Sequence, residues 1–164
     1  MNPRAFTTNV ENWHRRWLGS LFSLTSSTNG GIDLYDDTIG VELKSRYTKY
    51  NHSFAVHAKQ TELFLEENPT KKLYWAFLLY DLSRSPAEIG SQFDIESYVT
   101  KREVWFTSWD WIRQFPIHNP KTGPYQYISI KKLPAEDEVY TRKDEIIHLP
   151  KNSLLEERFI NLKK

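Results

Sequence analysis

Two acids and a lysine stand close together in the chain, at Asp33, Glu42 and Lys44. Two carboxylates that converge repel each other unless a cation lies between them, and ligands that are all oxygen suit Mg²⁺ or Mn²⁺. Such an ion lowers the pKa of a bound water and neutralises charge on a phosphate under attack. The lysine would orient that water or hold the phosphate. These residue types therefore point to hydrolysis of a phosphodiester.

The apolar pattern around these residues predicts that they converge. Residues 32–34 and 39–43 have the pattern of two strands joined by a tight turn. Their apolar side chains must share the core face because side chains alternate with period two. Paired residue numbers must then add to an odd value, for example Asp33 with Gly40. Asp33 would lie diagonal to Glu42, roughly 7–8 Å away at the Cα atoms, with the lysine on the same face and open space at the glycine.

The same residues have a plainer interpretation as a solvated strand face with an ion pair. A Glu-x-Lys triplet occurs by chance in roughly half of chains of this length. Here it occurs once, at residues 42–44, and no Asp-x-Lys occurs. It also follows an aspartate in the correct parity, which favours the catalytic interpretation.

Around the hairpin, the pattern predicts a mixed α/β sandwich in one domain, in the order helix, strand, hairpin, helix, central strand. A first helix would begin at Thr8 or Asn9 and end near Gly19, and a second would run from a cap at Ser53 to Glu67. Residues 73–82 are apolar almost throughout, which is typical of a strand buried on both faces. The remaining elements are predicted as short strands at 21–24, 104–107 and 125–130, a helix at 109–115, a loop at 117–124, a charged exposed stretch at 134–144, and a last helix with a capping box at 153–156.

Asp33 followed by Glu42-Leu43-Lys44 resembles the PD-(D/E)xK nuclease superfamily. The resemblance covers about residues 8–82 and includes the order of the elements. It implies a restriction-endonuclease-like core, αβββαβ, with a mixed central β-sheet flanked by helices. The whole chain, 1–164, would be a single nuclease domain, in which residues 83–164 extend the sheet and supply DNA-recognition and dimer contacts.

The resemblance also implies roles for individual residues. Asp33 and Glu42 would bind the metal together with the main-chain carbonyl of Leu43, and Lys44 would assist the water. The catalytic set implied in this way is Asp33, Glu42, Lys44, Gln60 and Glu11, where Glu11 matches an acid of the first helix and Gln60 a polar residue of the helix after the motif. Gln60 shares a helical stripe with Val56, Leu63 and Phe64, so it is expected to point inward.

The chain departs from the family pattern in two ways. Ile32 stands where many members have a proline before the aspartate, and the nine-residue spacing between the two acids is short. The missing proline has little consequence for chemistry. The short spacing leaves Asp36 as a rival metal ligand, although its place in the turn favours Asp33.

A basic run without any acid follows the motif, from Lys44 to Lys59. Such a run beside a metal site suits phosphate contacts, whereas its plain interpretation is a solvated loop. The DNA-binding candidates are Arg46, Lys49, His52 and Lys59. Because the net charge is only +1, any affinity for a polyanion must come from such a local cluster. Aromatic residues make up 15% of the chain, and while most belong in the core, a minority near basic residues could stack on bases.

The absence of other signals narrows the function. Zero cysteines exclude disulfides, thiolate metal sites and cysteine nucleophiles, and no apolar run is long enough to cross a bilayer. We therefore expect a cytoplasmic protein without membrane contact.

The sequence as a whole predicts a Mg²⁺-dependent endonuclease acting on double-stranded DNA, with Mn²⁺ as a substitute cofactor. The first expectation is a type II restriction enzyme. The alternatives are a homing endonuclease, a Holliday-junction resolvase, or a non-catalytic DNA-binding or interaction module with the same fold. A homodimer is expected because two cuts across a duplex usually need two sites. The apolar stripe of the last helix, with Leu154, Leu155, Phe159 and Leu162, either packs across the dimer axis or closes the monomer core.

Overall fold

The computed structural model describes residues 3–27, 32–49, 53–89, 95–119, 121, 123–134 and 137–162. The helices in these ranges are α1 (Pro3–Phe22), α2 (Ala58–Glu67), α3 (Pro86–Ile89), α4 (Ile95–Tyr98), α5 (Trp109–Ile112) and α6 (Leu154–Leu162), with a 3₁₀ turn at Ile130–Lys132. The strands are β1 (Thr25–Ser26), β2 (Leu34–Tyr35), β3 (Ile39–Tyr47), β4 (Ser53–His57), β5 (Lys72–Leu82), β6 (Val99–Ser108), β7 (Ile117–His118), β8 (Tyr125–Ser129), β9 (Glu138–Arg142) and β10 (Glu145–Leu149).

A seven-stranded mixed sheet forms the centre of the fold, in the order β1-β2-β3-β5-β6-β10-β9. Strand β5 pairs in parallel with β3 and antiparallel with β6, and β6 pairs in parallel with β10. The apolar segment predicted as the central strand is β5, so that prediction is confirmed. The chain beyond residue 82 adds β6, β10 and β9 to the same sheet.

Side chains alternate along β5 and supply two separate cores. Tyr74, Ala76 and Leu78 face one core, which is closed by α1 and α6, while Trp75 and Phe77 face the other. The second core lies under α2, α5 and a small three-stranded sheet in the order β4-β8-β7. The protein is therefore mixed α/β, with a mixed central sheet flanked by helices, as the sequence predicts.

The helix predicted from Ser53 to Glu67 is wrong in its first turn, because residues 53–57 form β4. Phe54 and Val56 alternate with less buried neighbours and are themselves buried. They pair with β8, whose partner residues Ile128 and Gln126 lie about seventy positions further along the chain. Pairing with a strand that is distant in the chain thus outweighs the local capping signal of Ser53.

The N-terminal boundaries also differ from the prediction. Helix α1 extends to Phe22, so the strand predicted at 21–24 is wrong, and β1 follows at Thr25–Ser26. The helix ends at Ser23, whose φ of 54° lies in the left-handed region, and the Leu24 amide donates to the Gly19 carbonyl at 3.0 Å. The charged stretch predicted at 134–144 contains the edge strand β9.

The last helix begins where the capping signal predicts. The Ser153 hydroxyl accepts a hydrogen bond from the Glu156 amide at 3.0 Å, as expected for an N-cap serine. Leu155 and Phe159 are fully buried in the first core, whereas Leu154 and Leu162 are about half exposed. The stripe therefore closes the monomer core through its central residues. None of the helices in the described part of the chain has the length and apolar composition that a membrane crossing requires.

Candidate active site

The register of β2 against β3 places the first acid beside the second. Leu34 pairs with Val41 and Tyr35 with Gly40, so paired numbers add to an odd value, as predicted. The pairing is nevertheless shifted by two residues from the predicted one. The same register carried one residue further puts Asp33 directly opposite Glu42 rather than diagonal to it.

Hydrogen bonds hold Asp33 in this position. The Leu43 amide donates to its Oδ2 at 2.7 Å, and the Arg15 guanidinium donates to its Oδ1 at 2.8 Å. The Asp33 side chain also shares a hydrogen bond with the Glu42 carboxyl group. Only 12% of the Asp33 side-chain surface is exposed, so this carboxylate lies in a preorganised and largely enclosed setting.

The pKa of Glu42 reflects its burial and its contact with Asp33. Burial and the neighbouring negative charge of Asp33 raise the pKa of Glu42 to about 8, against the opposing effect of Lys44. Two carboxyl groups in contact behave in this way because both cannot ionise without a compensating charge. In the absence of a cation, Glu42 is therefore mostly protonated at neutral pH.

Glu42 and Lys44 open into a cavity of about 350 Å³ on the second face of the sheet. The Lys44 Nζ lies 4.0 Å from Glu42 Oε1 and is one-third exposed. Gln60 of α2 lines the same cavity, and the apolar part of the wall comes from Ile32, Phe64 and Trp75. The cavity thus combines an acid, a cation and an amide with apolar walls, which is typical of a ligand site.

Three details of the predicted geometry are wrong. Gly40 does not leave open space beside Asp33, because a Cβ there would lie 3.3–3.4 Å from Ile32, Leu73 and Phe64. Ile32 packs against the second core while Leu34 lies in the first, so they do not share a face. Gln60 is exposed rather than turned inward, although it lines the cavity. The cap of α2 is His57, four residues after the predicted cap at Ser53.

Glu11 is connected to the site through a residue that the sequence prediction missed. It lies one helical turn before Arg15, with 3.9 Å between its Oε1 and Arg15 Nη2, and Arg15 in turn binds Asp33. The i,i+4 spacing of an acid and an arginine on α1 was the signal for this pairing. Glu11 therefore orients Arg15, and its own carboxylate is not in contact with the acid pair.

Asp36, the rival ligand, is occupied in the turn. Its Oδ1 accepts hydrogen bonds from the amides of Thr38 and Ile39 at 2.9 and 2.8 Å, and its Oδ2 binds Arg158 of α6. Burial raises the pKa of Asp36, but these hydrogen bonds outweigh it and lower the pKa overall. Asp36 is a structural acid, and Asp33 is the one that faces Glu42.

Three of the four DNA-binding candidates lie in the described part of the chain. Arg46 lies on the same face of β3 as Glu42 and Lys44, with its guanidinium 6.0 Å from the Phe54 ring centre. Lys49 and Lys59 are exposed, and His52 lies outside the described residues. Among the described residues, no ion pair joins the positive charges of Arg46, Lys49 or Lys59 to the acids of the site.

Asp33 and Glu42 are the residues that could hold a divalent cation, and they supply two side-chain ligands. Among the described residues, no group of three or more histidine or acidic side chains converges closely enough to hold a metal ion. Asp33 and Glu42 present oxygen donors in contact with each other, and burial together with the charge of Asp33 raises the pKa of Glu42, which a cation beside it would lower. The Leu43 carbonyl stays a prediction as a third ligand.

Two further residues line the cavity, and the sequence motif predicts neither of them. His57 lines the cavity and caps α2, and its Nδ1 accepts a hydrogen bond from the main-chain amide of Gln60 at 3.2 Å. Glu67, at the end of α2, adds an acid to the cavity wall. His57 was missed because the predicted helix contained it, whereas it ends β4 and caps α2.

Comparison with protein-family models, with curated proteins and with solved structures finds no match to this chain.

Proposed function

We propose that this protein is a metal-dependent endonuclease that hydrolyses phosphodiester bonds in double-stranded DNA, on a restriction-endonuclease-like core. The observation that carries the proposal is the contact of Asp33 with Glu42, which lines a cavity together with Lys44. Two acids in contact in a largely enclosed setting are a poor way to stabilise a fold. Next to a lysine, such a pair is a good way to bind a divalent cation and a phosphate.

Each residue of the site has a definite part in this proposal. Asp33 and Glu42 hold Mg²⁺, or Mn²⁺ in its place, and the ion when bound supplies charge neutralisation at the phosphate and acidifies the attacking water. Lys44 holds the scissile phosphate or orients the water from its position 4.0 Å from Glu42. Gln60 lies in the same cavity and donates to the substrate or to water. The products by family resemblance carry 5′-phosphate and 3′-hydroxyl ends.

Within this class we propose a type II restriction enzyme, with a homing endonuclease and a Holliday-junction resolvase as alternatives. A homodimer follows from the need to cut two strands. Leu155 and Phe159 are committed to the monomer core, so the dimer must use other surfaces. Light scattering with and without DNA tests the dimer, and a monomer under both conditions would contradict it.

A second candidate is a non-catalytic DNA-binding or interaction module, and one observation favours it. Arg15 already neutralises Asp33 through a 2.8 Å ion pair, and Glu11 pairs with Arg15 instead of joining the acids. A site in which an arginine compensates an acid has less need of a metal. The two candidates therefore differ in whether a divalent cation binds.

Plasmid cleavage in Mg²⁺ tests the enzyme directly. We expect Asp33→Ala, Glu42→Ala and Lys44→Ala each to abolish cleavage. The matched control is Asp37→Ala, an exposed acid in the same hairpin turn, which should cut at the wild-type rate. If Asp33→Ala and Lys44→Ala both cut like the wild type, the site assignment is wrong.

Duplex binding in Ca²⁺ and in EDTA separates the enzyme from the module. A cation bound at the acid pair would add positive charge where the phosphate approaches, so the enzyme should bind DNA more tightly in Ca²⁺ than in EDTA. Glu42→Gln should weaken this metal dependence. Identical binding curves in the two buffers would favour the module.

A further inference from the structure

The outer face of the small sheet β4-β8-β7 carries a row of aromatic rings. Its inner face is apolar or buried, through Phe54, Val56, Gln126 and Ile128. The alternate residues point outward, and the β4–β8 register sets His57 beside Tyr125 and Ala55 beside Tyr127. His118 of the edge strand β7 pairs with Tyr125.

These rings form a continuous series. The His57 and Tyr125 ring centres are 5.1 Å apart, those of Tyr125 and Tyr127 are 6.3 Å apart, and those of Tyr127 and His118 are 5.4 Å apart. Tyr127 is 45% exposed, and His118 is exposed. An exposed aromatic row of this kind is unusual for a face that only closes a core.

The row leads to the candidate active site. His57, at one end, also lines the cavity that contains Glu42 and Lys44. Gly123 packs against the His57 ring, since a Cβ at this position would lie 3.0 Å from Nε2, and its φ of +125° also requires glycine. The ring at the junction is thereby fixed between the cavity and the outer face.

Charge and shape favour a polyanion with flat groups. None of the residues in the described strands β4, β7 and β8 is acidic. The outward positions between the rings are small, at Ser53, Ala55 and Ser129. Exposed lysines stand close to the strand ends in the chain, at Lys59, Lys121, Lys131 and Lys132. Nucleobases stack on exposed rings beside cations, so a nucleic-acid strand fits this face.

We propose that this face is a stacking platform for unpaired bases of a DNA strand whose phosphate enters the cavity at Lys44. The proposal rests on the proposed nuclease function and narrows its substrate class to duplex DNA with unpaired nucleotides next to the bond that is cut, in place of the fully paired duplex that a type II restriction enzyme takes. Tyr125 and Tyr127 stack on successive bases, and His57 marks the passage from the platform to the cavity.

The test compares two oligomers of equal charge, an oligo(dT) strand of about 12 nucleotides and an abasic strand of the same length, bound in EDTA. Because only the first has bases, the wild-type protein should bind it at least about tenfold more tightly. The double variant Tyr125→Ala/Tyr127→Ala should lose this preference, and Tyr127→Phe, which keeps the ring, should retain it. Tyr35→Ala, which removes a partly exposed tyrosine of β2, is the matched control and should bind like the wild type.

The single variant Tyr127→Ala keeps the test decisive if the double variant fails to fold, because this side chain is half exposed. It should lose part of the preference for oligo(dT). Equal binding of the two oligomers by the wild type, or an unchanged preference in Tyr127→Ala, overturns the platform even if duplex plasmid is cut. A base-dependent preference without any cleavage supports the platform while refuting the nuclease, so the two failures are distinguishable.

Discussion

Ionisable side chains are enclosed on both faces of the central sheet, but their surroundings differ. On the α1 face, Arg102 lies between the rings of Trp13 and Trp17, 4.1 and 4.6 Å from their centres. It also pairs with Glu145 at 3.8 Å. His14 is fully buried in the same region, and burial and the charge of Arg102 lower its pKa to about 3.

On the opposite face, Glu42 and Lys44 line an open cavity instead of being enclosed by rings. Burial and the charge of Asp33 raise the pKa of Glu42 to about 8, so its proton occupancy responds to pH and to any cation near it. His14, in contrast, stays neutral across the physiological range. Enclosed groups with permanent partners serve stability, whereas half-compensated groups at a cavity are available to a ligand.

Replacing Arg102 should give the largest change in stability. We expect Arg102→Ala to lower the free energy of unfolding by about 3 kcal/mol, because it removes two ring contacts and leaves the charge of Glu145 less compensated. Lys44→Ala should change it by less than about 1 kcal/mol, since its ion pair is partly exposed. Urea unfolding measures both, and Arg113→Ala, in an exposed pair with Asp110, is the surface control. A larger loss of unfolding free energy in Lys44→Ala than in Arg102→Ala would contradict this prediction.

The buried histidine should make the protein sensitive to acid. The pKa of His14 is lowered from 6.5 to about 3 in the folded protein, so the unfolded chain takes up the proton first as the pH falls. Stability should therefore decline from pH 6.5 toward 3, by at most about 1.4 kcal/mol per pH unit from this group. His14→Phe removes the titrating group and should flatten that part of a stability-against-pH curve. An unchanged slope in His14→Phe would show that other groups dominate.

Glu42 should have the opposite pH signature. Its folded pKa is raised from 4.5 to about 8. The favourable contribution of Glu42 to the free energy of unfolding is therefore fully present below pH 4.5 and is lost as the pH rises through 8. In EDTA at pH 8, Glu42→Gln should be more stable than the wild type by on the order of 1–2 kcal/mol, and the difference should shrink toward pH 4.5. Thermal unfolding in EDTA measures this, with Glu62→Gln, an exposed acid of α2, as the control.

Added Ca²⁺ should cancel the greater stability of Glu42→Gln over the wild type. The wild type should gain stability from the cation, and Glu42→Gln should gain less, because one of the two carboxylates is missing. If both proteins respond equally to Ca²⁺, the acid pair is not where the cation binds.

The smallest effect concerns the exposed cations near the cavity. Lys59→Ala should lower the slope of log affinity against log salt for duplex DNA by roughly one unit, as expected for the loss of a single phosphate contact. Lys151→Ala, an exposed lysine paired with Glu138 near the far edge of the sheet, should leave the slope unchanged. Equal slopes for Lys59→Ala and the wild type would remove Lys59 from the DNA-binding surface.

Local rules were sufficient for several features of the fold and of the candidate site. The continuous apolar run of β5 could only be a strand with both faces covered, and Ser153 capped α6 through a bond to Glu156, three residues along. The odd parity of the β2–β3 pairing followed from the two-residue period of side chains. That parity put Asp33 and Glu42 on the same face of the hairpin.

Tertiary structure decided what depends on partners far away in the chain. The two-residue shift of the hairpin register accompanies a turn in which Asp36 binds Arg158 of α6. Residues 53–57 became β4 because β8 lies beside them, and this moved the start of α2 and brought His57 to the cavity. Arg15 reached Asp33 only when α1 packed next to the hairpin. The sequence determined which residues could do chemistry, because their types and periodicity are local. The distances and charges around them were decided by packing between segments that no local pattern connects.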